Sequence, residues 1–243
     1  MHKKLTLGLA ISLCIQVAVA EDTTESPWTG EGELGFTLTS GNTETQNLAT
    51  KLAVGYRLSQ WEHTLKLNAF RAEDHSELTA ENYGLKWQSN YDLFKEEEQY
   101  LFGKFRYEED RFSGFEYQSS LLFGYGHRVF NTEERGLNLE AGIGIGSHQK
   151  EFYGESESSD NQAIAYLGLN YRQKIGSHSE FTQELKVEGG SENVYSESLS
   201  GFKVSISQKV ALKLSLLIKN NSDVPPDTEK TDTVTAVTIV YGL

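Results

Sequence analysis

Residues 231–243 alternate between larger apolar side chains and mostly smaller ones. Val237, Ile239, Tyr241 and Leu243 fall on one face of an extended chain, and the residues between them fall on the other. A repeat of two residues is the pattern of a β-strand whose faces meet different environments. In a soluble sheet the apolar face needs a second layer, whereas in an outer-membrane barrel lipid covers that face and the last strand pairs with the first.

The same alternation recurs along most of the chain. We count about twelve runs of roughly 9–14 residues, close to the 9–11 residues of tilted membrane-spanning strands and longer than typical soluble strands. We find no helical periodicity of useful length and no break in composition that suggests a second domain. The sequence therefore predicts an all-β fold, a single antiparallel up-and-down transmembrane β-barrel of about 12 strands, formed by residues 21–243.

The first twenty residues predict export. Lys3 and Lys4 precede an apolar run that ends in small residues at 18–20, which is the order of a secretory signal peptide. The single cysteine, Cys14, lies inside this run, so we expect neither disulfides nor thiolate metal sites after cleavage. Loss of the two lysines takes the formal charge from −13 to −15, and such an acidic chain is not expected to bind nucleic acid.

The links between the predicted strands also alternate, between short ones and longer polar ones. Short external turns are rare in outer-membrane barrels, so we place the long links outside and both termini in the periplasm. The predicted long links are residues 73–81, 108–115, 150–161, 190–198 and 220–230. Residues 40–43 break the rule, because they form a tight turn where a long loop is expected.

Strand parity places a mixed but mainly basic set of charges on the interior face. The basic residues that we predict to line the lumen are Lys51, Arg57, Lys86, Lys104, Arg106, Arg128, Arg172 and Lys213. Four acids share that face by parity: Glu33, Glu140, Glu184 and Glu188. An open lumen of this kind would favour anions; alternatively, the basic groups pair with lumen carboxylates and hold the barrel rigid.

Aromatic residues concentrate near the predicted strand ends or on the apolar face. This placement favours interfacial girdles, because such rings combine an apolar body with a polar tip. The set comprises Trp28, Tyr56, Trp61, Tyr91, Tyr107, Tyr125, Tyr171 and Tyr241.

No motif of the chain predicts a cofactor or catalysis. The glycines of residues 142–146 lack the strand–turn–helix context of a nucleotide loop, and we expect them to make room for a bulky neighbour. The histidines show no metal-ligand spacing, and the acidic residues 155–160 lack the alternation of a calcium loop. Ser119 and His127 share a face but lie eight residues apart, about 26 Å along a strand and too far to act together.

Three segments resemble a known family. They are Trp28 with residues 34–43, then residues 110–117 (DRFSGFEY), and residues 220–226 (NNSDVPP) running into 230–233. Together they are similar to the salt-induced, YdiY-like outer-membrane protein family of Gram-negative bacteria, whose domain has no assigned function. The resemblance covers residues 28–243 and implies a barrel of about 12 strands, expressed in response to osmotic conditions; it brings no catalytic residues.

We therefore expect an outer-membrane barrel that is a narrow pore or stabilises the envelope under salt stress. Its expected partners are outer-membrane lipid and, during insertion, the barrel-assembly machinery; the oligomeric state is open. Insertion should be slow, because related chains end in an aromatic residue and this one ends in Leu243. The alternatives are a barrel enzyme acting on lipids, of the phospholipase or acyltransferase type, and a soluble periplasmic sheet protein with an apolar ligand inside.

Overall fold

Thirteen strands make up the secondary structure of the described residues. The computed structural model describes residues 26–38, 45–75, 77–94, 98–110, 113, 115–152, 155–156, 159–226 and 228–242. The strands are β1 (Trp28–Leu38), β2 (Thr45–Leu58), β3 (Trp61–Asp74), β4 (Glu77–Asp92), β5 (Gln99–Asp110), β6 (Phe115–Asn131), β7 (Arg135–Phe152), β8 (Glu155–Ser156), β9 (Asp160–Ile175), β10 (Ser179–Gly189), β11 (Val194–Ser205), β12 (Val210–Asn221) and β13 (Thr231–Gly242). The predicted signal peptide, the tight turn at 40–43 and Leu243 lie outside this range.

Twelve of these strands close into a barrel. Each long strand pairs antiparallel with the next along the chain, and β6 pairs with β7. The first and last strands pair between residues 31–34 and 239–242, which joins the two ends of the sheet. The two-residue β8 pairs back onto β7 and takes no part in the barrel wall. The predicted 12-stranded antiparallel barrel is confirmed.

The outer face of the barrel is apolar. Ile143, Leu167 and Phe123 are 74%, 64% and 61% exposed. In soluble proteins, large aliphatic and aromatic groups are normally buried. Their neighbours along each strand point the other way, as the period of two requires. A closed barrel with such a belt has no edge and leaves its apolar side chains to lipid. Among the described residues, no helix is long and apolar enough to cross a membrane.

Aromatic rings cluster at one end of this belt. Trp28 packs against Tyr56 with ring centroids 4.5 Å apart, and Trp61 packs against Tyr91 at 5.0 Å. These four residues lie where β1 and β3 begin and where β2 and β4 end. Such a row of amphipathic rings is typical of a membrane interface.

Glycines on the interior face make room for large side chains. Tyr100, Phe102, Leu122, Ile164 and Tyr166, from β5, β6 and β9, form a buried cluster. A Cβ atom added at Gly142 would lie 3.1 Å from the Phe102 ring, and one at Gly146 would lie 3.3 Å from Ile164. The predicted role of the glycines in residues 142–146 is confirmed at these two positions.

Gly126 offers the sharpest test of this packing. A Cβ atom there would overlap the Tyr100 ring, and Tyr100 is 1% exposed. Gly126→Ala should therefore destabilise the barrel by about 1–3 kcal/mol through overpacking. The measurement is the urea midpoint of unfolding from phospholipid vesicles. Gly32→Ala is the control, because nothing lies within 4 Å of its added Cβ; equal midpoints for the two variants would contradict the prediction.

The predicted long links need three corrections. Residues 194–198 of the predicted link 190–198 belong to β11, where Val194 pairs with Gly189. Residues 73–81 are not a long loop, because Glu73 pairs with Leu78 and Asp74 with Glu77, so only two residues separate β3 from β4 in the sequence. Glu108 and Asp110 likewise belong to β5 and pair with Gln118 and Phe115. Polar strand extensions look like loops in the sequence because both of their faces carry polar residues, so the alternation with apolar residues is lost.

Candidate functional site

Ion pairs cross the interior of the barrel between opposite walls. Lys66 Nζ of β3 lies 3.0 Å from Glu184 Oε1 of β10, and Lys86 Nζ of β4 lies 2.7 Å from a carboxylate oxygen of Glu197 on β11. In the order of strands, β3 lies opposite β10 and β4 lies opposite β11. Only side chains that project into the interior can meet across such a distance.

A third pair lies beside these two. Arg106 Nη2 of β5 is 2.8 Å from a Glu188 oxygen of β10, and both side chains are less than a tenth exposed. Arg106 also stacks its guanidinium over the Tyr195 ring, 4.4 Å from the centroid. Burial makes this pair harder to separate than the first, because desolvated charges that lose a partner carry a large penalty.

Glu140 is the centre of the most buried cluster. Its carboxylate accepts hydrogen bonds from the Tyr100 hydroxyl at 2.9 Å, the Tyr166 hydroxyl at 3.0 Å and the Gln88 amide at 2.8 Å. Lys104 Nζ forms a short ion pair with it. Four donors therefore compensate one carboxylate whose side chain is 1% exposed, which meets the condition for burying a charge.

A second cluster joins the ends of β2, β4 and β6. Asp92, 1% exposed, lies 3.0 Å from Arg57 and 2.7 Å from Arg128. Arg128 also reaches Glu62 at 3.1 Å. Two guanidinium groups share one buried carboxylate here, an arrangement that uses the planar fork of arginine.

Every basic residue that the sequence predicts for the lumen has a carboxylate within 4.0 Å. The pairs are Lys51–Glu33, Arg57–Asp92, Lys86–Glu197, Lys104–Glu140, Arg106–Glu188, Arg128–Asp92, Arg172–Glu180 and Lys213–Glu33. That they line a pore stays a prediction. These eight cations share six carboxylates, because Glu33 and Asp92 each pair with two of them, and three of the six, Asp92, Glu180 and Glu197, are not among the acids assigned by parity.

The acids missed by sequence reasoning lie on regular strands. Glu197 shares the face of Tyr195, and Glu108 shares the face of Arg106, each two residues apart. Parity would have found both, had the ends of β5 and β11 been extended through their polar residues. Asp92 and Glu62 sit near turns, where the sequence shows no such signal.

The interior is packed on one side and reached by water on the other. Lys66 and Glu184 keep 47% and 39% of their side-chain exposure although they meet across the lumen. The cluster of Glu140 is almost fully buried beside the aromatic rings. Between the three cross-interior pairs lies a cavity of about 110 Å³, lined by both partners of each pair.

Polar contacts join several strands at the end of the barrel that carries residues 220–226. Asn221 Oδ1 accepts hydrogen bonds from Gln118 Nε2 at 3.2 Å and from Asn193 Nδ2 at 2.8 Å. Lys150 Nζ of β7 lies 2.6 Å from Asp223. These contacts join β6, β7 and the β10–β11 turn to the end of β12 and to the link after it, so one family-like motif takes part in them.

The described residues do not bring a nucleophile and a base together at Ser119 and His127. Ser119 Oγ donates to the Ser147 carbonyl at 3.4 Å, and His127 Nδ1 has no hydrogen-bond partner in the described part of the chain. Ser177 and His178 do share a hydrogen bond, but in an exposed turn. Within the described ranges, no group of three His, Cys, Asp or Glu residues could hold a metal ion.

Comparison with known sequences identifies the family. A family model described as "Protein of unknown function, DUF481" matches residues 32–243. The chain belongs to this family. A curated relative, the uncharacterized protein YdiY of Escherichia coli strain K12, is 26% identical over 221 residues, which is 90% of this chain and 84% of the relative. The predicted resemblance to a YdiY-like family of unknown function is confirmed.

Solved structures share the fold of this DUF481 chain. The COG4313 outer membrane channel from Pseudomonas putida F1 is 11% identical with a TM-score of 0.52, covering 89% of this chain and 95% of the channel. The NanC porin is 7% identical with a TM-score of 0.54, covering 88% and 98%. At these identities the likeness concerns the fold. Together with the apolar belt, it makes the DUF481 chain an outer-membrane β-barrel protein of uncharacterised role.

Proposed function

We propose that this barrel is a narrow outer-membrane pore that ion pairs across its interior hold closed. The observation that carries the proposal is the exposure of Lys66 and Glu184, which water reaches in the middle of the lumen. A lumen filled for rigidity alone would bury this pair as it buries Glu140. Barrels of eight strands are filled by side chains and those of 16–18 hold channels, so twelve strands suit a narrow path.

The exposed pair is the weakest part of the closure. A solvent-exposed ion pair contributes about 0–1 kcal/mol, far less than a buried one. Salt screens such a pair, since the Debye length falls from about 8 Å at physiological ionic strength to about 3 Å at 1 M. The pore should therefore open more readily at high salt.

Single-channel recording in planar bilayers tests the pore. Lys66→Met with Glu184→Gln removes the exposed pair, and about 1 kcal/mol of lost closure shifts the ratio of open to closed pores about fivefold. The control is Arg71→Met with Glu73→Gln, which removes a 2.6 Å pair from the end of β3 beyond the belt. Absence of conductance in every variant, at any voltage and salt concentration, would leave only the envelope-stabilising role.

The eight predicted basic residues would line this pore together with their partners. Because each has a carboxylate nearby, the anion preference expected from the sequence should be weak. If these cations had no partners, replacing them with glutamate would reverse the ion selectivity of the pore. Because they are paired, the same substitutions would first break ion pairs. The mixed charges therefore support a pore that discriminates by more than the sign of the solute.

Transport or a structural role is favoured over lipid enzymology. The separation of Ser119 from His127 supports this preference. Ser119 pairs with Ser147 on the neighbouring strand, and His127 pairs with Leu139. We further propose that residues 1–20 are removed on export, that the barrel-assembly machinery inserts the single domain, and that both termini lie in the periplasm. Protease cleavage of a tag at residue 243, in intact cells against lysed cells, tests the orientation.

A further inference from the structure

The central cavity has walls of opposite charge. Its cations come from the consecutive strands β3, β4 and β5, and their carboxylate partners come from β10 and β11 across the lumen: Lys66 with Glu184, Lys86 with Glu197 and Arg106 with Glu188. Two further cations line the cavity: Lys104 on the basic wall, which is paired with Glu140, and Lys186 on the carboxylate wall, which shares Glu197 at 3.1 Å. The three pairs thus point the same way, from a basic wall to an acidic one.

Such walls discriminate between solutes by the pairs that each solute would break. An anion that enters can pair with Lys66, but it leaves Glu184 without its partner. A cation pairs with Glu184 and leaves Lys66. Both events carry the cost of an uncompensated charge in a partly desolvated site. A molecule that bears both charges can replace the two partners at once, so no group loses its compensation.

Arg106, on the basic wall, has a hydrogen-bond donor that lacks an acceptor among the described residues. Arg106 is 7% exposed, and its Nη1 atom makes no hydrogen bond to any described residue. The Oε2 atom of Glu108 lies 3.5 Å from this Nη1 atom, which is a long distance for an ion pair. A buried donor without an acceptor costs free energy, which a ligand carboxylate would recover.

We propose that this cavity binds small zwitterions, molecules with one ammonium and one carboxylate, and that they are the solutes of the pore. The inference rests on the proposed function for its transport part and on the cavity alone for its binding part. The carboxylate of the solute faces the wall of Lys66, Lys86 and Arg106, and its ammonium faces the wall of Glu184.

Binding to the detergent-solubilised, folded barrel is measured by titration calorimetry with three solutes of similar size. These are β-alanine, which carries both charges, propionate, which is an anion, and propylammonium, which is a cation. We expect β-alanine to bind at least about tenfold more tightly than the other two, because each of them leaves a charge unpaired. Lys66→Met with Glu184→Gln should abolish this preference. The swapped pair, Lys66→Glu with Glu184→Lys, should restore it, because a zwitterion can enter in the reverse orientation.

Each outcome bears on the two proposals separately. Equal binding of the three solutes, or no binding of any, overturns the zwitterion site even if the pore conducts. Binding of β-alanine without conductance in any variant supports the site and overturns the pore. Arg71→Met with Glu73→Gln should leave β-alanine binding unchanged, and a loss in that variant would show that the site lies elsewhere.

Discussion

Glu140→Leu should cost about 3–5 kcal/mol of folding stability, the range for breaking a buried ion pair by removing one partner. The substitution leaves the Lys104 ammonium, 16% exposed, without its carboxylate. It also takes the acceptor from the Tyr100 and Tyr166 hydroxyls, which are both buried. The measurement is urea unfolding from phospholipid vesicles, followed by tryptophan fluorescence and by heat-modifiable gel mobility.

A double variant separates charge from packing. Glu140→Leu with Lys104→Met removes both charges and replaces them with apolar groups, so it should recover a large part of the loss. Glu184→Gln, which breaks the exposed pair with Lys66, should cost only about 0–1 kcal/mol. If the single and double variants unfolded at the same urea concentration, the charge of Glu140 would not be what stabilises this cluster.

The architecture was predictable because lipid imposes a simple pattern. Outward side chains must be apolar, and the period of two assigns Ile143 and Ile145 to one face and Gly142 and Gly144 to the other without any knowledge of neighbours. The strand count followed from the same alternation. The predicted strand ends are wrong outside the membrane, as at residues 73–81. Both faces of a strand are polar there, so the alternation of apolar and polar residues disappears.

The interior was only half predictable, for a different reason. Parity places Lys86 on the inner face, but its partner Glu197 lies 111 residues further along the chain. Which residues meet depends on the stagger of strands around a closed barrel, and one sequence does not reveal that register. Parity therefore assigns basic residues to the inner face, but it does not predict the opposed charge of the two walls.

Ile143→Arg tests the claim that the apolar belt faces lipid. Ile143 lies in the middle of β7 and is 74% exposed, so in water an arginine there would be harmless. At the centre of a bilayer it should instead cost about 2–4 kcal/mol. Ile206→Arg is the matched control, because Ile206 is 69% exposed in the turn between β11 and β12, where surface substitutions change stability by about 0.5 kcal/mol or less.

The comparison uses vesicle unfolding, in which the bilayer surrounds position 143 of the strand but not position 206 of the turn. Both substitutions replace the same side chain with the same cation, at nearly equal exposure. A larger loss at Ile143 than at Ile206 therefore measures the depth of lipid around β7. Equal losses would mean that the exposed aliphatic rows face something other than the hydrocarbon core, and the membrane-spanning assignment of this barrel would have to be given up.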